Sequence, residues 1–148
     1  MDKLNKKNSG QSLVELIVAV SIGALILVAL LAGVTMALRS AQLAKKKTQA
    51  IAKAQETIEW LRGEKEQSWT EFASHSDEYC LNSLNFNAPR ACLGDETDDN
   101  GFACLVNLIF SDENGDGIDD KSTITVTVSW EDNHGKHHES LKTYLTKN

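Results

Sequence analysis

Between Leu13 and Leu38 the chain runs for 26 residues with almost no polar side chain. Only Ser21, Gly23, Gly33 and Thr35 interrupt the run, and a single carboxylate, Glu15, stands near its start. As an α-helix this block is about 39 Å long at ~1.5 Å per residue. A lipid hydrocarbon core needs about 20 such residues, whereas the apolar stretch of a secretory signal stops at ~7–15. The block therefore predicts a membrane-spanning helix. It divides the chain in two, because the portion beyond Leu38 is rich in Asp, Asn, Ser and Thr and reads as one small water-soluble domain.

The soluble part is acidic. Net charge over 148 residues is -6. Without Asp2, Lys3, Lys6 and Lys7 it becomes -8, from 12 basic and 20 acidic side chains. Such a surface repels phosphate backbones, so no direct nucleic-acid partner is expected. Lys45, Lys46 and Lys47 form a local basic patch, read as a solvated helix face in preference to a contact with anionic lipid head groups or acidic neighbours. Charge does not orient the span. Lys3, Lys6 and Lys7 precede it, while Arg39 and Lys45–Lys47 come after it. Three cysteines, Cys80, Cys92 and Cys104, lie beyond the span and lack the paired close spacing of a zinc site. One disulfide with a leftover thiol is expected, in an oxidising compartment. Cys80 and Cys92 would close a short loop, and the other pairings stay open.

From Arg39 the pattern stays helical but becomes amphipathic. Leu43, Ala50, Ile51, Ala54, Ile58 and Leu61 recur at helical spacing, and Lys45, Lys46, Gln49, Lys53, Glu56 and Glu59 occupy the other faces. Gly63 is the expected terminator. One long helix is therefore predicted over residues 11–63, in an apolar half (11–39) and an amphipathic half (40–63). A head occupies 64–148, with Trp60, Trp69 and Phe72 anchoring helix to head. Glu71 to Asp99 reads as loop, because Asn82, Ser83, Asn85, Asn87, Pro89 and Gly94 break it. Phe102–Phe110 reads as a buried strand. Thr123–Trp130 alternates with period two, placing Ile124, Val126, Val128 and Trp130 on one face. A turn over Glu131–Lys136 returns the chain as a last strand, His137–Leu145. The expected fold class is α+β: a long N-terminal helix packed on a small antiparallel β-sheet head.

Glu15 is costly where it stands. A carboxylate deep in lipid costs about 2.5–3.5 kcal/mol on insertion scales, which points to a counter-charge acquired on assembly. Lys3, Lys6 and Lys7, then Gly10, then Glu15 five residues on at the mouth of an apolar helix, together resemble the signal of type IV prepilins and secretion pseudopilins. The resemblance covers about the first 60 residues. It implies a leader over 1–10, cut between Gly10 and Gln11 by a membrane-embedded prepilin peptidase, and N-methylation of Gln11. It further implies assembly through Glu15 and the N-terminal helix with other pilin or pseudopilin subunits, on an inner-membrane assembly platform. The chain would cross the cytoplasmic membrane once, leader in the cytoplasm and head outside, before entering a surface or periplasmic filament. Two features differ from many such proteins: the mature chain would open on Gln11 rather than an aromatic residue, and the span contains no proline. The hairpin ending in Thr143-Tyr144-Leu145 resembles that of minor pilins.

Two loops carry oxygen ligands. Asp112, Asn114 and Asp116 fall at positions one, three and five of a D-x-N-x-D-G pattern, in which Ile118 offers a carbonyl and Asp120 a further carboxylate. Thr123 stands where an EF-hand has its bidentate Glu. Calcium and a plain Asp/Asn/Gly turn both fit, and the calcium loops of some pseudopilins favour the former as a cofactor. Asp95, Thr97, Asp98 and Asp99 read as an ordinary acidic loop, and His134, His137 and His138 as exposed turn histidines. No phosphate loop, G-x-S-x-G or H-E-x-x-H is present, so a non-enzymatic structural subunit is expected. The alternative is a membrane-tethered extracytoplasmic calcium- or ligand-binding module that does not polymerise.

Overall fold

The computed structural model describes residues 9–86, 92, 97–113, 115, 117, 119–133 and 135–147, with only the backbone of 9–12. Helix α1 runs Ser9–Gln67 and contains no proline. Each of its three glycines beyond the first turn, Gly23, Gly33 and Gly63, costs about 1 kcal/mol relative to alanine, too little to break so long a helix. Inside the apolar block two hydroxyls bond back to the helix: Ser21 Oγ donates to the Ile17 carbonyl at 2.7 Å and Thr35 Oγ1 to the Ala32 carbonyl at 2.8 Å. Neither needs water, as hydrocarbon surroundings demand.

Helix α1 passes the expected stop at Gly63. That residue keeps ordinary helical backbone, without the positive φ of a glycine terminator, and the helix continues until Ser68 turns extended (φ -160°). Ser68 then caps a short helix, α2 (Trp69–Ala73), its hydroxyl accepting from the Glu71 amide at 3.3 Å. The strands are β1 (Asp77–Cys80), β2 (Phe102–Ser111), β3 (Lys121–Asp132) and β4 (Gly135–Thr146). They form one antiparallel sheet in sequence order. Both α2 and β1 fall in the stretch read from sequence as anchor and loop, and each is too short for a periodicity to show.

The chain divides into two compact units between Ala44 and Lys45. The amphipathic half of α1 from Lys45 onward thus belongs to the head. Ala50, Ala54, Ile58 and Leu61 of that segment are buried with Phe102, Cys104, Val106 and Leu108 of β2 and Ile124, Val126, Val128 and Trp130 of β3. Alternation puts these strand residues on one face of the sheet. Phe72 is buried among them, while Trp60 and Trp69 pack at the margin. Trp69 Nε1 donates to the Asp119 carbonyl at 2.7 Å, fixing α2 to the β2–β3 connection.

Polar ties close the helix-side face. Lys53, assigned to solvent by its helical position, is half-buried and pairs with Asp98 at 2.5 Å. Asp98 Oδ1 also accepts from the Asn100 and Phe102 amides, both at 2.9 Å, which shapes the turn entering β2. Gly101 in that turn has φ +78°. Burial raises the Asp98 carboxyl, but Lys53 and the two amides outweigh it and hold the group below its ordinary value. Lys46 donates to the Asn100 carbonyl at 3.2 Å and lies 4.8 Å from the Phe102 ring centroid; Lys47 pairs with Glu139 at 2.7 Å. Two of the three patch lysines are thus tied to the head.

Leu108→Ala should cost the head about 2–5 kcal/mol, read as a lower denaturant midpoint with unchanged slope. Asp98 is ionised at lower pH in the folded than in the unfolded chain, where the value is about 3.9. Its stabilisation is complete above the unfolded value and is lost as pH falls through the folded one. Asp98→Asn should remove about 1.5–3 kcal/mol at neutral pH and flatten the acid limb of a melting-temperature profile below pH ~4.

Candidate functional site: the N-terminal apolar helix

The residues that set this chain apart lie at the start of α1. Leader residues 1–8 lie outside the described residues; Gly10 and Gln11 sit in the first turn of the helix. Glu15 is exposed, and no described residue supplies it with a hydrogen bond or an ion pair. Four residues separate it from Gln11, about one helical turn, so an amine created at Gln11 would lie close in depth to the carboxylate in a bilayer.

Around Glu15 the helix surface is apolar on every side. Leu16, Ile17, Val20, Leu25, Leu27, Leu30, Leu31 and Met36 are each more than half exposed, and no part of the most apolar window of this helix is buried by the rest of the structure. A soluble core helix would be covered. Fully burying one such side chain stabilises by about 1.5–3 kcal/mol. The uncovered stretch therefore represents tens of kcal/mol that only lipid, or other apolar helices, can supply.

The cysteines and loop residues of the head that are described make their contacts within the head. Cys80 and Cys92 form a disulfide with Cα atoms 4.9 Å apart. Cys80 registers with Leu105 on the sheet face opposite the core, so the bridge fastens the chain at Cys92 over the outer face. It restricts a short loop and contributes about 3 kcal/mol on the chain-entropy account. Cys104 is a free, fully buried thiol on the core face. Thr57 Oγ1 donates to the Lys53 carbonyl at 2.9 Å, leaving its lone pairs to accept from the Cys104 thiol at 3.5 Å. Burial pushes that thiol above its ordinary value, which makes it unreactive. The sheet itself stands between it and the bridge.

In the D-x-N-x-D-G loop, Asn114, Asp116 and Ile118 lie outside the described residues. Asp112 accepts from the Gly115 and Gly117 amides, one on each oxygen, both at 2.7 Å. Both glycines have positive φ, +78° and +82°, which lets the chain curl around the carboxylate. Asp120 Oδ1 accepts from the Glu113 amide at 2.9 Å, and Lys121 pairs with Glu113. These contacts close the loop on itself through backbone amides. Among the described residues no cluster of three or more metal-ligating side chains occurs. His137 is half-buried, stacked on Trp130 with ring centroids 5.4 Å apart, and faces Asp132 at 3.1 Å; His134 lies outside the described residues. Sequence reading missed the Lys53–Asp98 and Lys47–Glu139 pairs because their partners are 45 and 92 positions away along the chain.

A long apolar-headed helix leading into a four-stranded antiparallel sheet is a pilin-like α+β layout. Residues 5–31 match the prokaryotic N-terminal methylation motif, the prepilin signal of type IV pilins and pseudopilins. The motif spans part of the Lys-bearing leader, Gly10, Gln11, Glu15 and most of the apolar run. Proteins with this signal are structural, and the signal together with the apolar helix fits membrane anchoring. No curated protein and no solved structure matched the chain.

Cys80→Ser together with Cys92→Ser should lower head stability by about 2–4 kcal/mol, while Cys104 stays unreactive to a soluble thiol reagent in the folded double variant. Rapid labelling of Cys104 in that variant under native conditions would contradict its placement in the core.

Proposed function

We propose that this chain is a minor pilin or pseudopilin: a single-pass precursor, cut after Gly10 by prepilin peptidase and methylated at Gln11, whose helix then packs into an extracytoplasmic filament of a type IV pilus or a type II secretion-like system. The observation that carries this reading is the coincidence of the methylation motif over residues 5–31 with an uncovered apolar helix that holds Glu15 without a counter-charge among the described residues. The leader stays in the cytoplasm, the head lies outside, and the inner-membrane assembly platform receives the processed subunit.

Cleavage supplies the missing charge. The new α-amino group at Gln11 is a cation one helical turn from Glu15 of its own chain. In a staggered bundle it meets Glu15 of the neighbouring copy. That pairing removes the cost of an unpaired carboxylate in lipid, about 2.5–3.5 kcal/mol, and it is satisfied at one stagger only, so it sets register as well as affinity. Methylation leaves the amine charged. Glu15→Ala should leave membrane insertion and leader cleavage intact yet reduce incorporation into sheared filaments by more than about tenfold, the equivalent of ~1.4 kcal/mol. Incorporation at the wild-type level would contradict the assembly role of Glu15.

Calcium at the β2–β3 loop is a separate proposal, with Asp112, Asn114, Asp116, the Ile118 carbonyl and Asp120 as its oxygens. Its support is the ligand spacing and a loop already curled around Asp112. The expected outcome is heat on titrating millimolar calcium into the detergent-solubilised chain, abolished by Asp112→Ala. No heat at millimolar calcium removes the proposal.

A further inference from the structure

The chain enters β2 through a loop, residues 98–102, wound around one side chain. Asp98 accepts every backbone amide from Asn100 to Phe102: its Oδ1 takes those of Asn100 and Phe102, each at 2.9 Å, and its carbonyl takes that of Gly101 at 2.9 Å. Its own amide donates to the Phe102 carbonyl at 2.8 Å. Lys53 of α1 pairs with Asp98, and Lys46 donates to the Asn100 carbonyl at 3.2 Å. The backbone of the loop is thus fully engaged, while the Asn100 side chain is exposed to water.

Among the described asparagines, Asn82, Asn85, Asn107 and Asn133 precede residues that carry a side chain, and Asn100 precedes glycine. Glycine leaves its backbone nitrogen unshielded, and at Gly101 (φ +78°) the space where a Cβ would stand is open. Such a pair reacts without any partner but water. The Gly101 nitrogen loses its proton to water and attacks Cγ of Asn100. A bond forms between that nitrogen and Cγ, the Cγ–Nδ2 bond breaks, and Nδ2 leaves as ammonia with a proton from solvent. The resulting succinimide takes up one water and opens to aspartate or, through its other carbonyl, to isoaspartate. The loop sets when this happens. While the Gly101 N–H is donated to the Asp98 carbonyl, its proton is held and the nitrogen is not free to attack. Exposed turns open locally far more readily than a core, and the opening that frees this amide must break the Asp98 bonds.

We propose that Asn100 is a site of spontaneous deamidation, gated by the loop that Asp98 and Lys53 hold. The product carries a new carboxylate beside Asp98 and Asp99, and its isoaspartate form adds a main-chain carbon inside the loop. Both changes fall where Lys46 and Lys53 fasten α1 to the entry of β2. The modification is a property of the head by itself and stands apart from the filament reading.

The test is peptide mapping by mass spectrometry of the detergent-solubilised full chain, aged at neutral pH beside a synthetic peptide of residues 97–103. The expected result is an amide-to-acid mass increase at Asn100, resolved into two products of equal mass, forming about tenfold more slowly than in the peptide. Asp98→Ala should bring the rate close to that of the peptide. Lys53→Met removes the ion pair but keeps the amide bonds to Asp98, and should give an intermediate rate. Leu108→Ala weakens the core without touching the loop, and should leave the rate of the parent chain unchanged. An Asn100 that shows no conversion by the time the peptide has fully converted overturns the site. Equal rates in the parent chain, Asp98→Ala and Lys53→Met overturn the gate, as does a Leu108→Ala rate as high as that of Asp98→Ala.

Discussion

The rest of the structure depends on one constraint: about half of α1 is apolar on all sides, and nothing among the described residues covers it. A helix of that kind is stable only in a solvent of lipid tails or in a bundle of similar helices. The hydroxyls of Ser21 and Thr35 obey the same constraint, since each is satisfied by the turn below it. Glu15 is the exception, and the exception is informative. In a permanent anchor an uncompensated carboxylate is only a cost; in the filament subunit proposed above it would serve as a register mark.

The head solves a different problem. Its core is small, so it depends on close contact between the Ala50–Leu61 stretch of α1 and the inner face of β2 and β3. Two alanines at the contact, Ala50 and Ala54, are fully buried and leave room for Val106, Val126 and Val128. Charged residues of the same helix then fasten its margins, Lys53 to the turn before β2 and Lys47 to β4. The disulfide acts on the opposite face, where no described helix covers β1.

Much of this was legible in the sequence because it is written in local periodicity. The apolar run, the helical stripe and the alternation of Thr123–Trp130 each repeat often enough to identify an element and its buried face. The prepilin signal was legible because it depends on spacing within a few residues of Gly10. The features that escaped were of two kinds. Helix α2 and strand β1 have five and four residues, fewer than a pattern needs, and β1 is a strand because β2 offers it an edge. Lys53 and Lys47 read as solvent-facing because helical position reveals the face a side chain leaves from, whereas their partners are set by tertiary folding. Gly63 misled for a related reason: a glycine ends a helix when the next residues need a left-handed turn, and here Ser68 supplies the break five positions later.

The functional account comes down to a covalent change at one peptide bond, which turns an anchored precursor into a subunit with a positive charge facing Glu15. Intact-mass and N-terminal peptide analysis of the protein recovered from its native membrane tests this directly. The account predicts a chain that begins at Gln11 with a methylated α-amino group. A chain that still begins with the leader and its Lys3, Lys6 and Lys7 would contradict it.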